Sequence, residues 1–232
     1  MKKLLFFLVV ISMVFVLAAC NNDEATEDTQ QESAEEPAPL EFSDEERVAD
    51  DTAVVSVNGE EVKGEKYNQI YTQVKTMLHS YGQDVTDTES VKDQAMKILV
   101  EQELINQDAE KAGIEVTEEE AQQELDKMKE ESGEEQLQQV LETYQINEEQ
   151  FKQQLQDDLV TVKYMQEQFD IEVTDEEIEE YYNQLKEQNA EVGELEEAKE
   201  QIRSMLESQK QSEQLAAKVA ELKEAAEIKH LI

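Results

Sequence analysis

The 232 residues contain only six glycines and two prolines. Sheet-rich domains reverse direction in tight turns, and those turns draw on the residues that this chain lacks. An all-β fold is therefore disfavoured, as is an α/β fold built on a glycine-rich loop. Glu and Gln dominate the polar positions, and both favour helix. The length suits one domain, alone or with appendages.

Asp and Glu number 58 against 20 Lys and Arg, a formal charge of −38. Nucleic-acid binding needs clustered cations to neutralise phosphates, so it is excluded as the default function. Docking on anionic lipid through a basic patch is disfavoured for the same reason. A single cysteine, Cys20, rules out an intramolecular disulfide.

That cysteine has a telling position. Lys2 and Lys3 precede an apolar run from Leu4 to Leu17, interrupted only by Ser12. The run is too short for an ordinary membrane span, which takes about 20 residues, but it fits the apolar region of a signal peptide. It ends in Leu17-Ala18-Ala19-Cys20, which resembles the bacterial lipobox. The resemblance implies cleavage between Ala19 and Cys20 and acylation of the Cys20 thiol. Two or three acyl chains would anchor the protein stably, where one binds only marginally. Residues 1–19 are thus expected to be a lipoprotein signal peptide. The mature protein is expected outside the cytoplasm, on the outer face of a Gram-positive cell membrane.

From Asn21 to about Thr52 apolar residues are few, acids are many, and both prolines, Pro37 and Pro39, occur. Such a segment buries too little to offset its ordering entropy. Residues 20–52 are expected to form an acidic disordered tether, with an r.m.s. span of roughly 30 Å.

Order is expected from Ala53. Val54, Val55 and Val57 precede Asn58-Gly59, a strong hairpin signal, with Glu60–Lys63 as the return strand. The period then becomes helical. Tyr67, Ile70, Tyr71, Val74, Met77 and Leu78 share a face of a helix from Gly64 to about Tyr81. Val91, Ala95, Ile98, Leu99, Leu104, Ile105, Ala109 and Ala112 stripe the next, from Glu89, and Gly113 suits its left-handed end. Further helices are expected at about 118–131, 134–145, 148–169 and 175–188. A long one follows from Leu195 to Ala226, spanning roughly 45 Å. Ile228, His230 and Ile232 alternate as a terminal strand that could pair with Val54–Val57. Ile114-Glu-Val-Thr-Glu-Glu-Glu120 recurs as Ile171-Glu-Val-Thr-Asp-Glu-Glu177. Each copy holds a capping box, Thr117 with Glu120 and Thr174 with Glu177. The repeat reads as a reused helix entry rather than a duplicated domain.

Chemistry-bearing patterns are scarce. His79 and His230 are the only histidines, and neither has a companion that would complete a zinc site. No P-loop, nucleophile elbow or Ser/His/Asp order is visible. No catalytic residue, cofactor or metal is expected.

Taken in order, several motifs resemble the N-terminal domain of SurA/PrsA-type folding factors. They are Val57-Asn58-Gly59-Glu60 before a tyrosine-bearing helix, Leu99-Val-Glu-Gln-Glu-Leu-Ile105, and Ala109-Glu-Lys-Ala-Gly-Ile114 with its Val-Thr entry. Val173-Thr-Asp-Glu-Glu-Ile-Glu-Glu-Tyr-Tyr182 follows, and the helix from Ala198 to Ala226 leads into Ile228. The resemblance covers about 53–232. It implies a mainly α, SurA-N/trigger-factor-like helical chaperone domain, with a small sheet joining the N- and C-terminal strands. That family carries a parvulin prolyl isomerase domain between the Tyr-Tyr helix and the last helix, needing roughly 90 residues. Here Asn183 to Glu194 leaves 12.

The expected function is that of a membrane-anchored holdase, binding unfolded or newly secreted polypeptides without catalysis. The alternatives are a prolyl isomerase with an unrecognised site and an envelope-assembly lipoprotein. Adaptable Met and broad aromatic surfaces suit varied clients, so Tyr67, Tyr71, Met77, Tyr144, Phe151 and Tyr164 are the candidate client-binding residues. The same spacing also serves ordinary core packing, and the two roles stay open for each.

Overall fold

In the computed structural model, residues 40–188 and 193–232 are described. The elements follow the periodicity closely. Strands β1 (Ala53–Val57) and β2 (Glu60–Lys63) form a hairpin, and helices α1 (Gly64–Ser80) and α2 (Thr88–Lys111) follow. Then come α3 (Glu118–Ser132), α4 (Glu134–Tyr144), α5 (Glu148–Gln168), α6 (Asp175–Gln188), α7 (Leu195–Ala225) and β3 (Ile228–His230).

Capping sets several of these boundaries. Thr117 Oγ1 accepts from the Glu120 N–H at 3.2 Å, while the Glu120 carboxylate accepts from the Thr117 N–H at 2.7 Å. Thr174 and Glu177 repeat this at 3.3 and 2.8 Å. Asn147 and Gln150 make the corresponding exchange at α5. Each box satisfies two amide donors that a helix N-terminus otherwise leaves unpaired.

The sheet joins the two ends of the domain as expected. Its order is β2-β1-β3, and both pairings are antiparallel. Val55 lies opposite His230, and Val57 opposite Ile228. Asn58 is the knot of this junction. It sits at φ +54° in the hairpin turn. Its N–H donates to the Glu227 carbonyl at 2.8 Å, and its Oδ1 accepts from the Glu227 N–H at 3.0 Å. Its Nδ2 donates to Gln107 Oε1 of α2 at 2.9 Å, and Gln107 returns a bond to the Val57 carbonyl at 3.0 Å.

The main core lies between the sheet, α1 and α2, and includes Val54, Val55, Val57, Val91 and Leu99. A second cluster joins α2 to α5 and α7 through Ile105, Ala109, Ile114 and Tyr164. A third holds α3, α4 and α5 together through Leu125, Leu137, Leu141 and Leu155. The fourth, Ile178, Tyr182 and Ile202, seals α6 against the first half of α7.

One boundary is corrected. The acidic tether was expected to reach Thr52, but residues 40–52 pack onto α1. Glu46, in a 3-10 turn at Asp44–Glu46, is buried and forms an ion pair with Lys75. Its carboxylate also accepts from the Tyr71 hydroxyl at 2.8 Å and the Ser43 N–H at 2.6 Å. Asn68 exchanges two hydrogen bonds with the Val48 backbone, at 2.8 and 3.1 Å. Any Cβ at Gly64 would collide with the Ala49 carbonyl and the Val48 side chain, so glycine admits this segment against the helix start. Composition misled here because Glu46 is neutralised by a lysine 29 residues away. The remainder of the tether expectation, the signal peptide and Cys20 lie outside the described residues.

Candidate functional site

The six candidate client-binding residues do not converge on one groove. Tyr67 and Tyr71 are each 2% exposed and belong to the main core. Their ring centroids stand 5.8 Å apart. Burial raises the Tyr67 hydroxyl to about 12, with the charges of Glu89 and Glu46 adding to it. Tyr164 is 1% exposed, meets Phe169 edge-to-face at 5.9 Å, and donates its hydroxyl to Asp108 at 2.5 Å. All three tyrosines pack in the core, and Tyr67 and Tyr71 also border a recess of ≈ 130 Å³ beside Glu46 and Lys92. The Tyr71 and Tyr164 hydroxyls donate to the Glu46 and Asp108 carboxylates, which is how a buried tyrosine is normally satisfied. Phe151 is half-buried against the α3–α4–α5 cluster. Met77 and Tyr144 are also half-buried and keep some solvent contact. Ile98, placed on the inner stripe of α2 by periodicity, faces outward at 41% exposure.

A concave feature that holds none of the six lies elsewhere. A cleft of ≈ 490 Å³ runs between the first half of α2 and the side of the sheet that β3 closes. Met96 and Val100, core residues 4% and 3% exposed, lie at its base, and Ile228, Ile232, Lys92 and Lys97 line it around them. Helical spacing explains the arrangement. Met96 and Val100 point at the sheet, while positions 92 and 97 fall to either side of that stripe. Its volume is within the range of small-molecule sites.

Its charge is unlike that of the rest of the molecule. Most described lysines are held by carboxylates, as Lys223 is by Glu101 at 2.9 Å and Lys66 by Asp157 at 2.8 Å. Among the described residues, Lys92 and Lys97 make no ion pair or hydrogen bond. Glu89 and Asp93 also line the cleft, so it is locally balanced to slightly cationic in a chain of charge −38. Sequence reasoning missed this site because it weighed aromatic residues. The available signal was a pair of lysines beside an apolar helical stripe, followed much later by an alternating terminal strand.

A helical body is closed by a small sheet that pairs β1 with β3, and a cleft lies at the sheet's edge. The chain belongs to the SurA-like N-terminal domain family, whose model matches residues 1–165. No curated protein matches it. The family match ends within α5, so α6, α7 and β3 lie beyond it.

Proposed function

We propose that this protein is a lipid-anchored, extracytoplasmic holdase that binds unfolded or newly secreted polypeptides without catalysis. Membership of the SurA-like N-terminal family carries this reading. The anchor rests on the Leu17-Ala18-Ala19-Cys20 motif. The non-catalytic half is supported by the packing of α6 directly on α7 through Ile178, Tyr182 and Ile202. Only residues 189–194 connect these helices, where the family's isomerase domain would have to sit. Met77 and Tyr144 remain candidate contacts for clients, since both keep solvent contact.

Three measurements test the reading. A chemically denatured client diluted into the protein should scatter less light. The Met77→Ala, Tyr144→Ala double variant, whose charge is unchanged, should protect less well; equal protection by a folded variant removes these two residues from the site. Uncatalysed prolyl isomerisation takes about 10–100 s at 25 °C, and its rate should not change on adding the protein. Cys20→Ser should release the protein from the membrane fraction, and unchanged fractionation would refute the anchor.

A further inference from the structure

The edge of β3 away from β1 is open. Glu227 and Leu231 bond to Asn58 and Val54 of the hairpin, which makes Lys229–Ser56 the bonded pair between them. In an antiparallel ladder the intervening residues direct their N–H and C=O groups the other way. Ile228 and His230 therefore present four backbone groups outward, and no described group hydrogen-bonds to them. Side chains of alternate strand residues share a face, so Ile228, His230 and Ile232 all line the cleft against α2. An unpaired edge thus borders an apolar floor, with two unpaired lysines beside it.

We propose that this edge and cleft receive an extended polypeptide segment as a fourth strand of the sheet. The segment is apolar at the alternate positions that face Met96 and Val100, and it carries a carboxylate that meets Lys92 or Lys97. Main-chain hydrogen bonds supply affinity that does not depend on sequence, and the cleft selects alternate side chains. Glu89 and Asp93 line the same cleft, so the preference for an anion rests on the two lysines that have no carboxylate partner. In a strongly acidic molecule, two lysines left without partners beside an apolar floor favour an anionic side chain there. A second copy of this chain would have to bring its own charge of −38 to the same edge. The proposal rests on the polypeptide-binding reading above and assigns it a site.

The probe is a fluorescein-labelled heptapeptide, Thr-Val-Thr-Glu-Thr-Val-Thr, whose Glu shares a face with its two Val residues, titrated with the 232-residue chain and followed by anisotropy. Saturable binding is expected. Methylating the backbone nitrogens on the strand-pairing side should weaken it at least about tenfold, the loss of about one net hydrogen bond. His230→Pro removes an outward N–H without touching the bonds to β1, a position where edge strands tolerate proline; it should weaken binding by about the same factor. Circular dichroism checks that this variant is folded. Lys92→Gln with Lys97→Gln should weaken the peptide severalfold while leaving its Glu→Gln analogue unaffected, and added salt should narrow that gap. Equal binding of the methylated peptide, or a Glu→Gln analogue equally sensitive to the lysine changes, overturns the proposal. So does a concentration-dependent dimer abolished by His230→Pro, without peptide binding. Suppression of client aggregation without peptide binding discards this site and keeps the holdase reading. Peptide binding without suppression keeps the site and discards the holdase reading.

Discussion

Around Leu99, Val91 and the three valines of β1 nothing is left to solvent, whereas α7 commits one fully buried residue, Ile202, in its 31. The body formed by the sheet, α1 and α2 is built from apolar burial. The arm formed by α6 and the first half of α7 has a small apolar seal bordered by exposed ion pairs. Lys199 and Arg203 hold Asp175 at 3.1 and 3.0 Å, and Lys210 holds Glu177 at 2.6 Å. Exposed pairs of this kind contribute little each and weaken with salt. Two helical regions with similar amphipathic sequence therefore differ in what holds them. The body is thus expected to be the fixed frame, and the arm the part that opens at lower cost. The family match covers β1, β2, α1 and α2 of the body and none of the arm, while β3, which completes the body's sheet, also lies beyond it.

The largest effect that tests this contrast is Leu99→Ala. Leu99 is wholly buried in the main core, so the change should cost about 3–5 kcal/mol through lost transfer and an unfilled cavity. The denaturation midpoint should fall for the whole domain at once. A loss confined to α6 and α7 by hydrogen exchange would invert the assignment of frame and arm.

Glu46→Gln comes next, at about 2 kcal/mol, because it leaves Lys75 buried beside an uncharged partner. Burial alone would push the Glu46 carboxyl up, but bonds from Lys75, Ser43 and Tyr71 outweigh it and bring the group down to about 2. A carboxyl depressed in the folded state binds fewer protons there than in the unfolded chain. Its contribution is therefore present above the ordinary value near 4.5 and is lost as pH falls toward 2. Between those values residues 40–48 should become open to proteases before the core unfolds. Retained protection at pH 2.5 would refute the role of Glu46 as the clamp.

How much of this was legible in the sequence depended on the range of the cause. The capping boxes at Thr117 and Thr174, the Asn58-Gly59 turn and the terminal pairing of Ile228–His230 were all readable, because each depends on neighbours a few residues away or on simple alternation. Burial of Glu46 depends on Lys75 and Tyr71, and no local window holds all three. Core packing and client contact stayed open for Tyr67, Tyr71 and Tyr164 for a related reason. A 3.6-residue stripe states that one face is covered, but not whether a helix or a client covers it. Lys92 and Lys97 were passed over because a lysine's lack of a carboxylate partner is a property of the folded surface alone.

The two copies of the helix entry allow a finer comparison, since one sequence device serves two regions. Thr117→Ala and Thr174→Ala each remove one cap, worth about 1 kcal/mol. Thr117 starts α3, whose partner α5 also packs against α2, so its loss should appear in the global denaturation midpoint. Thr174 starts α6, which packs on α7, so its loss should appear first as faster amide exchange in α6. Equal midpoint shifts with no local change in α6 would show that arm and body unfold together.

The smallest effect is expected from Asp175→Asn. Hydrogen bonds from Lys199 and then Arg203 hold the Asp175 carboxyl below its ordinary range. Its contribution is accordingly present above about pH 4 and fades as the pH falls below that. The side chain is well exposed, so the pairs are screened, and the variant should raise exchange in α6 less than Thr174→Ala does. Salt provides the discriminating control. If Coulomb attraction ties the α6 start to α7, 1 M salt, which shortens the screening length to about 3 Å, should bring the wild type close to the variant. Arg203 also donates to the Val173 carbonyl at 2.9 Å, a bond to an uncharged group that salt should leave largely intact. A residual difference between Arg203→Gln and Asp175→Asn at high salt would measure that backbone contact. If the two variants coincide at every salt concentration, the arm is held by its apolar seal alone, and the contrast with the body becomes one of core size rather than of the kind of force.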